Sequence, residues 1–257
     1  MPIFRFSIPI LITHNTQRIT TRGTEFSVPR NNKKMDFIKE NTVAASGQLV
    51  NSDSLRFYGN ENGRIKILIV GNSITRHGYL PSIGWYHDFG MAASAEEKDY
   101  VHLLMKKWKK RNVDFLLAVK QAASWEVKVN EHTADEENFE DLSEFAPDYI
   151  IFRLAENISC EIDGEYFAEQ LRLLVKKLDK KGGKVVYTTS FWKNDRVSEA
   201  IRAEAEKENL VELEDLGERA DMKAYGRFEH AGICAHPGDA GMAAIAERID
   251  NVLRRYF

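Results

Sequence analysis

IKILIVGNSITRH, residues Ile65 to His77, is the stretch on which the fold turns. From Ile65 to Val70 every residue but Lys66 is apolar, and the branched side chains suit a strand covered on both faces in a parallel sheet. Gly71 ends the run. Asn72, Ser73 and Thr75 then follow at what would be the carboxyl end of that strand, the edge where open α/β sheets bind ligands. A serine delivered there has the chemistry of a nucleophile.

Further strands are predicted outward from this one at 114–119, 149–154, 184–189 and 210–213. Between them lie helical periodicities: 96–111 with Tyr100, Leu103, Leu104 and Trp108, a face of Phe167, Leu171, Leu174, Val175 and Leu178, and 195–209 with Val197, Ala200, Ile201 and Ala205. Gly182-Gly183 stops the second of these, and a last helix starts at Asp239. Alternating strands and helices imply a doubly wound α/β sandwich with a mostly parallel five-stranded sheet. Leu55, Phe57 and Tyr58 suggest an added edge strand. The long segment Gly78 to Ser94, with Pro81, two glycines and Trp85, Tyr86 and Phe89, reads as a lid or binding loop.

The chain has 257 residues, 43% of them hydrophobic, enough for one large core. Residues 1–34 are polar, basic and weakly periodic, and are expected to be a disordered or non-core extension, with one domain over 35–257. The apolar stretch Ile8 to Ile12 has only Arg5 before it and no small-residue cleavage pattern after it, a weak export signal; a cytoplasmic chain is expected, with a periplasmic or secreted one as the alternative. No run approaches the roughly 18 apolar residues of a membrane span. With 36 basic and 39 acidic residues the net charge is −3, and the densest basic run, Lys106 to Arg111, is broken by Trp108. Nucleic-acid binding, which needs a concentrated basic face, is disfavoured. Neither Cys160 nor Cys234 belongs to a CxxC pair, and His77 and His87 have no second ligand at a metal spacing, so no metal or other cofactor is implied.

Each of the first four strands ends in a polar loop on one rim, and His236-Pro237 precedes the last helix. Ser73, Asn157 and His236 thus sit on three loops, a set that meets the needs of acyl transfer: hydroxyl nucleophile, imidazole base, oxyanion donor. Arg153, Glu156 and Glu126 on neighbouring loops predict either a buried charge network shaping a pocket or an ordinary rim salt bridge. Trp85, Trp125 and Trp192 are read either as stacking platforms for sugar rings or as packing for the loops.

These residues resemble the SGNH, or GDSL-like, hydrolase superfamily. Gly71-Asn72-Ser73-Ile74-Thr75 is similar to its GDSIT block, Ala155-Glu156-Asn157 to its G-x-N block and His236-Pro237 to its terminal His-Pro. The resemblance runs from about Lys66 to the C-terminus. It implies a flavodoxin-like three-layer α/β/α fold and ester hydrolysis, with Ser73 as nucleophile, His236 as base, and the Ser73 amide and Asn157 side chain as oxyanion donors. The second-block oxyanion amide aligns with Trp125, or with Ser124 if the alignment shifts. Asn72, Trp85, Glu126, Arg153, Glu156 and Trp192 are candidate pocket residues. Three departures stand out: Asn72 for Asp, Ala155 for Gly, and Ile233 where the superfamily has an Asp three residues before the His. The third triad member is therefore either absent, with a backbone carbonyl holding a Ser73-His236 dyad, or a carboxylate such as Glu229, Asp239, Glu156 or Glu126. The expected activity is removal of a small acyl group, acetyl from a carbohydrate being the leading case. The alternatives are a lysophospholipase or thioesterase and a non-catalytic glycan-binding protein.

Overall fold

A computed structural model describes residues 54–257. The expectations for residues 1–34, including the export signal, lie outside the described residues. Five strands run parallel: β2 (Ile65–Gly71), β3 (Phe115–Gln121), β4 (Tyr149–Arg153), β5 (Lys184–Thr188) and β6 (Leu210–Val211). A sixth, β1 (Leu55–Gly59), pairs antiparallel with β3, so the sheet order is β1-β3-β2-β4-β5-β6. The sheet thus has six strands rather than five, the extra one being the edge strand suggested at Leu55, Phe57 and Tyr58. Its burial is only partial, as suits an antiparallel edge exposed on one face.

Without β1 the parallel strands follow the 2-1-3-4-5 order of flavodoxin-like sheets. The side-chain alternation of β2 divides the core. Ile67 and Ile69 join Ile151 and Val186 under α1 (Tyr100–Lys110) and α7 (Asp239–Leu253). Leu68 and Val70 face the other way with Ile150 and Phe152, under α2 (Ala123–Asn130), α3 (Gly164–Leu178) and α4 (Asp195–Glu204). Two helical layers around one sheet make the three-layer sandwich.

Local signals set the helix ends. The side chains of Asp99, Asp163 and Asn194 accept backbone N–H bonds at the starts of α1, α3 and α4. The expected helix over 96–111 therefore begins properly only after Asp99, with a 3₁₀ turn at Glu96–Lys98 before it. Helix α4 ends at Glu204, short of Asn209, and a 3₁₀ turn at Lys207–Asn209 leads into β6, which the one-turn α5 (Glu214–Gly217) follows. Helix α2 is an element the pattern hid, because Ala123, Trp125, Val127 and Val129 alternate with polar residues as a strand would.

The segment after β2 is a packed excursion. It is closed by backbone bridges between His77 and Phe89 and between Leu80 and Trp85, with Ile83, Trp85, Met91, Ala92, Ala224 and Ile233 forming a satellite core beneath it. No helix among the described residues is long and apolar enough to cross a membrane.

Candidate active site

In this strand order the chain reverses direction of growth between β2 and β4, and crevices at such switch points receive ligands. Ser73 lies in the turn leaving β2. Backbone N–H groups of Thr75 and Arg76 donate to the Asn72 carbonyl at 2.9 and 3.0 Å, and Met91 donates to the Ser73 carbonyl at 2.9 Å. Gly71 is required at the head of this turn: a Cβ there would lie 1.8 Å from Thr75 Oγ1. Ser73 is partly buried, and among the described residues its own N–H has no acceptor.

His236 arrives from the opposite end of the chain. The one-turn helix α6 (Ala231–Ala235) ends before His236-Pro237, where proline forces extended backbone on the residue preceding it; His236 has φ −68° and ψ 161°. A terminating helix leaves its last carbonyls without intrahelical partners. The Gly232 carbonyl is one of these, and it accepts from His236 Nδ1 at 2.6 Å, while Ser73 Oγ lies 2.8 Å from His236 Nε2. A carbonyl can only accept, so the proton sits on Nδ1, and Nε2 presents its lone pair to the serine hydroxyl. Burial, reinforced by the nearby His77, His230 and Arg153 and opposed by the bond to Gly232, pushes the imidazole down to about 4. It is thus neutral, and able to accept a proton, throughout the neutral range.

Among the described residues no carboxylate orients this imidazole. Ile233, three residues before His236, is 1% exposed within the satellite core. Asp239 accepts from Ser94 N and Oγ at 2.8 Å each and pairs with Lys98. It opens α7, but the N-cap position itself is Gly238. Glu229 is exposed on the surface.

Glu126 and Glu156 belong to a buried network on the β4 side. Both amide hydrogens of Asn72 are used, donating to Glu156 Oε2 at 2.6 Å and Glu126 Oε1 at 3.2 Å, while its Oδ1 accepts from Ile74 N. Glu156 Oε1 also accepts from Arg153 Nη1 and from Phe191 N, each at 2.6 Å. Glu126 Oε1 accepts from Ala155 N at 2.6 Å, and Oε2 from Asn157 Nδ2 at 2.6 Å. Asn72, Glu126, Arg153 and Glu156 are all buried, so the charge network, not the rim salt bridge, is what forms. Burial, then the Glu156 charge, pushes the Glu126 carboxyl up to about 7.

Asn157 is partly exposed and has one amide hydrogen left after its bond to Glu126. Trp125 does not supply an oxyanion amide: its N–H donates to the Ala122 carbonyl at 3.0 Å in the first turn of α2. Ser124, one residue earlier and partly exposed, has no acceptor for its N–H among the described residues and is the free amide in this turn.

The tryptophans divide. Trp85 is fully buried and donates from Nε1 to the His77 carbonyl, and Trp125 packs on Phe152 and Phe167, so neither is a stacking platform. Trp192 is partly exposed, meets the His236 ring edge-on at 5.0 Å, and is fixed by Nε1 donating to the Ala235 carbonyl. Among the described residues no group of three or more His, Cys, Asp or Glu side chains is placed to hold a metal ion.

No family model and no curated protein matches the chain. Solved structures similar to it include a psychrotrophic esterase from Pseudoalteromonas sp., 12% identical, covering 74% of this chain and 97% of that one at a TM-score of 0.44. An α/β hydrolase enzyme from the metagenome of Lake Arreo, Spain, is 19% identical over 74% of this chain and 95% of its own, with a TM-score of 0.46. A family two carbohydrate esterase from Cellvibrio japonicus is 14% identical over 75% of this chain and 61% of its own, with a TM-score of 0.44.

Proposed function

We propose that this protein is a serine ester hydrolase acting on a small acyl ester. The observation that carries the reading is the relay from Ser73 Oγ through the His236 imidazole to the Gly232 carbonyl. Nε2 takes the hydroxyl proton as Ser73 attacks the acyl carbonyl, and the Gly232 carbonyl stabilises the imidazolium by accepting from Nδ1. The Ser73 N–H, the Ser124 N–H and the second Asn157 amide hydrogen are the donors offered to the oxyanion. The imidazolium then protonates the leaving alcohol. Water, activated by the same base, releases the acid and restores Ser73.

For the alcohol side, an acetylated carbohydrate is the substrate class supported by Trp192, whose partly exposed ring stands against His236 where a sugar face would stack. The core positions of Trp85 and Trp125 leave Trp192 alone in this role. A fluorophosphonate probe tests the reaction class: it should label wild-type protein at Ser73 and leave Ser73→Ala unlabelled. Hydrolysis of acyl esters of graded chain length, and of acetylated sugars, tests the substrate. A Trp192→Ala variant whose KM rises for the sugar ester but not for a simple aryl acetate supports carbohydrate, whereas a preference for long acyl chains points to a lipase or thioesterase role.

A further inference from the structure

Glu126 is a buried carboxyl whose hydrogen-bond partners among the described residues are all donors. Ala155 N, Asn157 N and Asn72 Nδ2 point at Oε1, at 2.6, 3.3 and 3.2 Å, and Asn157 Nδ2 points at Oε2 at 2.6 Å. Each of these groups has hydrogens to give, so the arrangement fits a carboxylate; a protonated acid would bring a hydroxyl hydrogen up against a donor. The groups facing Glu126 come from the Ser73 turn (Asn72) and from the loop after β4 (Ala155, Glu156, Asn157), and Arg153 stands behind Glu156. Of these, Glu156 and Arg153 are the ionisable ones.

We infer that Glu126 is a positioning residue of this site: its carboxylate clamps the Asn157 side-chain amide and the backbone on either side of Glu156, and so sets the oxyanion donor. This rests on the reading of Ser73, His236 and Asn157 given above. The clamp is bidentate in effect. Oε2 takes one Asn157 amide hydrogen, which fixes the direction of the other, and Oε1 takes the Ala155 and Asn157 N–H groups, which fixes the loop that carries the side chain. Ala155 sits in this loop at φ 136°, a conformation that alanine rarely adopts, and the bond from its N–H to Glu126 is among those that hold it. Charge-assisted bonds of this kind are the stronger class. The Arg153 guanidinium, bound to the adjoining carboxylate, offsets the negative charge that Glu126 brings close to the developing oxyanion. Because burial and Glu156 bring the Glu126 carboxyl to about 7, the clamp loosens as pH falls through neutrality, well above the range in which His236 takes up its proton.

The test is a double-mutant cycle on the full chain. Glu126→Gln places an amide hydrogen against donors and should lower kcat by about 10²- to 10³-fold with KM little changed, the loss typical of one oxyanion donor. In an Asn157→Ala background the same substitution should cost nothing further, since there is no side chain left to hold. Wild-type kcat/KM should fall along a one-proton limb near pH 7, and that limb should be missing in Asn157→Ala. Full activity in Glu126→Gln, or a double variant that loses the product of the two single losses, overturns the inference. A measurement independent of turnover covers a variant that does not fold: the ¹⁵N and ¹H resonances of the Asn157 side-chain amide in wild-type protein should titrate with a midpoint near 7. Resonances unmoved between pH 5 and 9 overturn it as well. Failure of the ester-hydrolase reading shows differently, as a wild-type protein that neither turns over esters nor reacts with the fluorophosphonate, while the amide titration still reports on the clamp.

Discussion

The imidazole Nδ1 of His236 lies 2.6 Å from the Gly232 carbonyl oxygen, four residues back along the same turn of chain. A backbone acceptor fixes the tautomer as a carboxylate would, but it contributes a dipole rather than a full charge toward the imidazolium.

Ser73→Ala and His236→Ala should therefore each lower kcat by about 10⁶-fold, the order seen when a serine nucleophile or its base is removed. Amide substitutions at Glu229 and Asp239 should leave kcat within about threefold, because one is exposed and the other is occupied by Ser94 and Lys98. Steady-state kinetics on folded variants checks both. A folded Asp239→Asn or Glu229→Gln as inactive as His236→Ala would show that a carboxylate partner engages the imidazole after all.

The depressed His236 also sets a pH dependence of stability. Its folded pKa, about 4, lies below the unfolded 6.5, so the folded state binds fewer protons between these values. The stability it contributes is complete above about pH 6.5 and is lost as pH falls toward 4. Glu126 has the opposite sign: raised from 4.5 to about 7, it contributes stability below about 4.5 that is lost as pH rises through 7. Between 4.5 and 6.5 the two oppose each other. In urea titrations, His236→Gln should lose less stability than wild type on going from pH 7 to pH 4.5, and an identical loss would contradict the burial assigned to the imidazole.

Placing a carboxylate at Ile233, three residues before His236, should fail. That side chain packs with Ile83, Trp85 and Met91 beneath the Gly78 to Ser94 excursion, where a carboxylate would be buried against apolar side chains. Ile233→Asp should destabilise the fold by about 3–5 kcal/mol, the upper range for point substitutions. Thermal denaturation reads this directly. A variant with unchanged melting temperature and higher kcat would mean that the α6 turn can present residue 233 to the imidazole.

Much of this site was legible because it depends on strand ends. A strand's carboxyl edge is fixed by where its apolar run stops, so Gly71, Asn72 and Ser73, the loop from Ala155 to Asn157, and His236 before the last helix could be placed from residue type and order. Alternating strands and helices implied a doubly wound sheet, but not the 2-1-3-4-5 order that joins these loops, which depends on pairings far apart in the chain. What stayed hidden depends on backbone direction. No side chain marks the Gly232 carbonyl as the imidazole's partner, and whether the Trp125 N–H is free depends on the start of α2, whose alternating apolar residues imitate a strand. Trp85 and Trp192 look alike in composition, and only the path of the excursion buries one and leaves the other beside His236. Ala155 carries a signal that could have been used: an alanine aligned with a glycine points to a strained φ, and the residues around it are the ones that bear the restraining bonds.

Asn72 carries the sharpest test of how the buried network is matched to this sequence. Its amide gives one hydrogen to each of two carboxylates and accepts from Ile74 N, so both hydrogens and the oxygen are engaged without adding charge. An Asp at this position would put a third carboxylate against Glu126 and Glu156, with Arg153 the cation bound to the cluster. Two donated hydrogen bonds would become two repulsive contacts in a site where all four residues are buried. Breaking a buried charged network in this way costs about 3–5 kcal/mol. Asn72→Asp should accordingly lower the melting temperature most at pH 8. As pH falls the deficit should shrink, since a proton taken up by the crowded cluster restores a donor between its carboxylates. Adding Glu126→Gln to Asn72→Asp should recover part of the stability at pH 8, because the cluster returns to two carboxylates and regains an amide. Calorimetry at pH 5 and pH 8 on the two variants decides the matter: an Asn72→Asp deficit that is the same at both pH values, or that Glu126→Gln deepens, would mean that charge is not what selects asparagine here.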